Sequence, residues 1–273
     1  MHKEQLLEHA NHIRRNIIEM IYTAQSGHPG GSLSSADILT YLYFVEMDIH
    51  QDNVSKVARD RFVLSKGHAS PLLYATLCEA GFIQQSELST FRKLNSKLQG
   101  HPNMNYIDGV DMSTGSLGQG ISVAVGMALA NTLDSSTHRV YTLLGDGECE
   151  EGEVWEAAMC AAHYKLDNLC AIIDFNSLQI DGDIKEVMNP LPLDEKFKAF
   201  GWRVIEIDGH NFDEIERAFQ QARETKGSPT LILAHTIKGK GISFMENKYA
   251  WHGSAPNKEQ YEQAIQELGG ATT

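Results

Sequence analysis

Residues 143–156 read LLGDGECEEGEVWE, with six carboxylates from Gly145 to Glu156 and no lysine or arginine until Lys165. Glycine-flanked turns after an apolar strand ordinarily offer backbone N–H groups to phosphate. An Asp between the glycines opposes that unless a cation stands between acid and phosphate. Asp146 closes one apolar run and Asn176 follows the next, with a helix-forming segment between them. That is the layout of a βαβ crossover, which sets the ends of adjacent parallel strands side by side. A carboxylate, an amide oxygen and a nearby carbonyl suit Mg²⁺, which takes about six oxygens at roughly 2.0–2.1 Å, phosphate and water included. The same spacing also suits a turn Asp and an Asn that ends a strand. Glu150, Glu151 and Glu153 stand where a helix begins, and the macrodipole favours acids there without any further role.

Two other sets of residues invite the same question. MSTGSLGQGIS at 112–122 leads into an apolar segment, so its glycines let backbone N–H groups approach a ligand closely or let helices pack tightly. Its order, GxxGxG with no strand directly before it, is not the dinucleotide fingerprint. His28, His68, His101 and His252 lie in SGHPGG, SKGHAS, QGHPN and WHGSAP, each beside Gly or Pro. Such contexts are loops, and four of them suggest one polar pocket whose imidazoles meet phosphate or sugar hydroxyls. Any one of them alone reads equally well as a surface histidine. No HxxxH or HxH spacing points to a metal held by histidines.

Elements able to position these residues are visible in the apolar pattern. β-Branched and aromatic runs predict strands at Arg61–Leu64, Val140–Leu144, Leu169–Asp174, Arg203–Ile207 and Thr230–Ala234. Helical segments are expected near 35–47, 69–80, 86–94, 120–132, 153–164, 212–225 and 258–268. Near the N-terminus, Leu6, Ala10, Ile13, Ile17, Ile21 and Ala24 step by three and four, an amphipathic helix. Strands alternating with helices imply an α/β fold with a mostly parallel central sheet and helices on both faces. We expect one domain over 1–273, without repeats or a low-complexity linker. Ligands of such sheets collect at the carboxyl ends of the strands. SKGH, GDGE, DFNS, IDGH and HTIKGKG all fall there.

Composition narrows the partners. A net charge of −13 argues against nucleic acid and anionic membranes, both of which require a basic face. The four cysteines form no CxxC pair and read as free thiols of a reducing compartment. There is no signal-peptide h-region and no stretch of membrane-spanning length, so a cytoplasmic location is expected.

Taken together, SGHPGG, LSKGHAS, GHPN, TGSLGQG, GDG…N, HTIKGKG and WHG resemble the thiamine diphosphate-binding region of transketolases over nearly the whole chain. GDG…N is shared among many thiamine diphosphate enzymes; the histidine motifs with TGSLGQG single out transketolase and its near relatives. The resemblance implies that Asp146, Asn176 and the Leu178 carbonyl hold Mg²⁺ (or Ca²⁺), with Gly147 and His68 at the diphosphate. It places Gly115 and Leu117 at the aminopyrimidine, Ile180 against the cofactor rings and Lys238 near the diphosphate. His28, His101 and His252 would line the donor channel, bind ketose hydroxyls and assist proton transfer, His252 also touching the cofactor. Glu151 and Glu156 match acids at the family's subunit interface, Glu151 among the cofactor-binding residues and Glu156 among the catalytic ones.

The implied activity is transfer of a two-carbon ketol unit from a ketose (phosphate) to an aldose (phosphate), as in the pentose phosphate pathway. Full-length transketolases continue into a pyrimidine-binding domain and a C-terminal domain after the point where this sequence ends. The expectation is therefore a separately encoded C-terminal partner subunit in an α2β2 heterotetramer, which carries the glutamate that activates the cofactor and most of the acceptor's phosphate-binding residues. Two alternatives share the chemistry: a transketolase-like subunit of a specialised sugar pathway, and the α subunit of a 2-oxoacid dehydrogenase. A third is a phosphate-ligand binding module with no activity. The 2-oxoacid dehydrogenase reading leaves the SGHPGG and KGHAS histidines unexplained.

Overall fold

The computed structural model describes residues 1–269. Five strands, β1 (Arg61–Leu64), β2 (Val140–Gly145), β3 (Leu169–Phe175), β6 (Arg203–Asp208) and β7 (Thr230–His235), form one sheet in the order β1-β2-β3-β7-β6. Every pairing is parallel. A two-residue antiparallel ladder, β4 (Leu178–Gln179) with β5 (Gly182–Asp183), stands apart from it. β3 reads LCAIIDF and is buried along six of its seven residues, as a central parallel strand covered on both sides must be. At the edge, β6 reads RVIEID and places Arg203, Glu206 and Asp208 in solvent, charges that discourage edge-to-edge pairing.

Successive residues of one strand face opposite layers, and the core divides accordingly. Phe62, Leu64, Tyr141, Leu143, Cys170, Ile172 and Ile232 join one cluster; Val63, Leu144, Ala171, Ile173, Leu231 and Leu233 join the other. α1 (Lys3–Ala24), α2 (Pro29–Ser34), α3 (Ala36–Tyr41), α4 (Ser70–Glu79), α10 (Phe212–Glu224) and α11 (Lys258–Glu267) contribute to the first layer. α6 (Gln119–Leu133), α7 (Gly152–His163) and α9 (Leu193–Ala199) build the second. Two one-turn helices, α5 (Gln85–Leu88) and α8 (Ile184–Val187), complete the set. In α10 the buried Phe212, Ile215, Ala218, Phe219 and Ala222 recur at helical spacing, and Asn211 caps the first turn by accepting from the Asp213 N–H.

The five expected strands all form; four of them run one residue further, to Gly145, Phe175, Asp208 and His235. The expected helix at 35–47 is α3 followed by one wide π-turn over Leu42–Glu46. The expected helix at 86–94 stops at Leu88, because turns with positive φ at Arg92 and Asn95 replace it. No helix among the described residues is long and apolar enough to cross a membrane.

Candidate active site

β2 and β3 are neighbours, with Gly145 opposite Asp174. Their exits therefore emerge together. Asp146 leaves β2, is 2% exposed, and its Oδ1 accepts from the Gly147 N–H at 2.8 Å. Its Oδ2 accepts the Ser177 N–H at 2.5 Å. Asn176 is buried beside it, with Oδ1 accepting from Leu178 N–H at 3.1 Å and Nδ2 donating to Asp174 at 3.0 Å. Ser177 between them holds φ 64°, which turns the chain sharply so that residues 176–178 fold back toward Asp146. Lys238 donates to the Leu178 carbonyl at 2.8 Å and contacts His252 Nδ1 at 3.2 Å.

These groups line a cavity of about 370 Å³ with Gly115, Leu117, Gly147, Glu151 and Ile180 on its walls. That size is ordinary for a small-molecule site. A larger open hollow of about 760 Å³ lies along Arg92, Lys93 and Lys97, but its lining has no acid or histidine. Ile180 is 59% exposed at the cavity mouth, an apolar surface that the described residues leave uncovered.

Beside the cavity the four histidines come together. His28 lies 5.3 Å from His68, 5.6 Å from His252 and 6.4 Å from His101, between ring centroids, and His68 stacks on His252 at 5.2 Å. They are not all loop residues. His28, His101 and His252 lie outside helices and strands, His28 just before the first turn of α2, and only His68 sits in a short helical turn, Gly67–Ala69. The backbone at Gly115 is φ 158°, and a Cβ there would stand 3.2 Å from the His101 ring. His28 Nδ1 is buried without a hydrogen-bond partner among the described residues, an acceptor or donor left for a ligand.

Electrostatics keep these rings neutral. Burial lowers His28 to about 4, helped by Arg92, His101 and Lys238. Burial and then Lys238 lower His252 to about 3, and burial holds His68 well below the ordinary value. Each is therefore an uncharged imidazole at neutral pH, able to accept one hydrogen bond and donate another. Burial and then the Asp174 charge push Asp146 up to about 7. A carboxylate so situated is poorly compensated within the chain, the condition in which a cation binds well. Burial lowers Lys238 to about 8, opposed by Asp146 and Asp174.

Three wall residues were not singled out in the sequence. Lys66 and Asp174, each about 1% exposed along the side chain, form a 2.6 Å ion pair beneath the cavity. Asp174 also accepts from Ser34, Thr236 and Asn176. Burial raises its carboxyl, but Lys66 outweighs that and holds it low. Glu148, 2% exposed, accepts from Ser65. An acid ending the wholly apolar β3 was the available signal for Asp174. Glu156 and Glu151 are exposed, and only Glu151 reaches the cavity wall.

The donors present fit a diphosphate with a hard cation: a buried acid, a buried amide, a carbonyl, glycine-flanked backbone and an ammonium group. Fold and site together define a diphosphate-binding α/β domain of the thiamine diphosphate type. The profile for the transketolase thiamine diphosphate-binding domain matches residues 6–272, and the chain belongs to the transketolase family. It is 48% identical to the 6-deoxy-6-sulfo-D-fructose transketolase subunit of a Clostridium species, over 98% of each chain. It is 45% identical to one of the subunits of the apulose-4-phosphate transketolase of Phocaeicola vulgatus, over 93% of this chain and 90% of that one. The transketolase of Campylobacter jejuni superposes with a TM-score of 0.93 at 37% identity, over 99% of this chain and 43% of that one. Human transketolase is 45% identical over 97% of this chain and 42% of its own, so the chain spans about two fifths of such single-chain relatives. The family shown is transketolase, not 2-oxoacid dehydrogenase.

Proposed function

We propose that this chain is the thiamine diphosphate-binding subunit of a split transketolase, which moves a two-carbon ketol unit from a ketose to an aldose. The observation that carries it is the meeting of the β2 and β3 exits at the Asp146 carboxylate, beside four neutral imidazoles. Asp146, Asn176 and the Leu178 carbonyl would hold a divalent cation, Mg²⁺ or Ca²⁺. Bound thiamine diphosphate would supply an electron sink for carbanion chemistry. Gly147, His68 and Lys238 would take the diphosphate, Gly115 and Leu117 the aminopyrimidine, and Ile180 a ring face. His28, His101 and His252 would hydrogen-bond the sugar hydroxyls and assist proton transfer, with His28 and His252, kept neutral, accepting hydrogen bonds from them. The nearby Lys238 charge disfavours a second positive charge on His252. Glu151 and Glu156, on an exposed face, would meet the partner subunit that completes the site in an α2β2 assembly in the cytoplasm.

The names of two relatives favour a second reading within the first: a specialised sugar bearing an anionic group, in place of the common pentose phosphates. Co-expression with the neighbouring C-terminal subunit, then assay with xylulose 5-phosphate, apulose 4-phosphate and 6-deoxy-6-sulfofructose as donors, tests both. Activity should require the two chains together; full turnover by this chain alone would refute the split-enzyme reading. Asp146→Ala should abolish cation-dependent retention of thiamine diphosphate, and unchanged retention would remove Asp146 from the metal site.

A further inference from the structure

Glu148 lies two residues past Asp146 and is closed off from solvent at 2% exposure. Its Oε1 accepts from the Ser65 hydroxyl at 2.5 Å and from the Gly118 N–H at 2.9 Å. Its Oε2 accepts from the Gly145 N–H at 3.0 Å. Those three donors belong to three separate segments: the exit of β1, the glycine-rich loop that opens α6, and the exit of β2. Gly118 holds φ 80° at the start of α6, so its N–H direction is set by a backbone that other residues rarely adopt. A buried carboxylate hydrogen-bonded only to neutral donors is costly unless its oxygens are fully used. Here they are, and two of the three donors are main chain.

Resting on the thiamine diphosphate reading of this cavity, we infer that Glu148 is a positioning residue that locks the 115–118 loop in register with the 145–147 turn. The turn keeps bonds of its own through Asp146 to Gly147 and Ser177. The loop's tie to that turn runs through Glu148. The carboxylate thus fixes the separation between the wall assigned to the aminopyrimidine and the wall assigned to the diphosphate. Only a ligand that spans both walls senses it.

The test compares two probes on the full chain assembled with its partner: thiamine diphosphate, and inorganic pyrophosphate, each with Mg²⁺, by calorimetric titration. In Glu148→Gln, thiamine diphosphate should bind about tenfold or more weakly, the scale of a lost hydrogen bond to a charged group. Pyrophosphate affinity should stay within about twofold, since its contacts lie on one wall. Ser65→Ala removes one donor from the same oxygen without touching a backbone group and should give a smaller loss, about threefold, for thiamine diphosphate alone. Equal weakening of both probes would reduce Glu148 to general support of the fold and overturn the inference, as would unchanged affinities in both variants. Wild-type protein that binds neither probe would overturn the cofactor reading itself, and this inference with it.

Discussion

The backbone N–H of Ser177 donates to the Asp146 carboxylate at 2.5 Å, so two neighbouring strand exits share one acid. Replacing that acid with Asn keeps an acceptor for the turn and removes the charge. Mg²⁺-dependent thiamine diphosphate binding should then weaken by more than the roughly 10–100-fold typical of changes behind a metal's ligands. Melting temperature should change little, because removal of a buried, poorly compensated charge is offset by the amide nitrogen that must face one of the two donating N–H groups. A variant that melts lower while binding normally would contradict both halves.

Lys66 and Asp174 form an ion pair shut away from solvent. Lys66→Met should destabilise the chain by about 3–5 kcal/mol, the cost of leaving a buried charge unpaired. Urea unfolding of the single variant and of Lys66→Met/Asp174→Asn measures this. The double variant should recover part of the loss, and no recovery would show that the ammonium group serves its neighbours Gly31 and Ser35 more than Asp174.

His252 falls from an ordinary 6.5 to about 3 on folding, through burial and then Lys238. The unfolded chain therefore binds the extra proton first. Between pH 6.5 and about 3 this depresses stability progressively as pH falls, and above 6.5 it has no effect. Asp146, raised by burial, acts in the opposite direction over the acid range, so the comparison is made against a variant. Wild type minus His252→Asn melting temperature should become steadily more negative from pH 6.5 to about 4; a constant difference would refute the depressed value.

At Gly120 a Cβ would stand 2.6 Å from the Ser65 Cα. Backbone cannot yield there as a side-chain tip would. Gly120→Ala should cost about 1–3 kcal/mol by overpacking the first turn of α6 against the β1 exit. Differential scanning calorimetry should register this as a lower melting temperature, and a higher one would mean that the turn relaxes freely.

Legibility of the fold and site in the sequence varies with the physical signal. Strands such as LCAIIDF carry their burial in their composition, and their parallel pairing follows from the helices between them. The meeting of Asp146 with residues 176–178 is legible because crossover geometry constrains strand ends. By contrast, α2 is hidden in SGHPGGS, where glycines and a proline speak for a loop and only burial of all six residues from Pro29 to Ser34 makes a helix. The region 86–94 has a helical pattern, but left-handed turns at Arg92 and Asn95 depend on contacts that periodicity does not encode. Lys66, Asp174 and Glu148 escape a linear reading for one reason. Each acts through residues distant in the chain: Lys66 on Gly31 and Ser35, Asp174 on Ser34 and Thr236, and Glu148 on Ser65 and Gly118.

Three interior acids, Asp146, Glu148 and Asp174, face two interior lysines, Lys66 and Lys238. One acid is thus left over before any guest arrives. A polyanion entering alone would meet that surplus carboxylate, whereas a cation would be drawn to it. A polyanionic guest would therefore gain by arriving with or after a positive ion, an order of entry that charge alone sets.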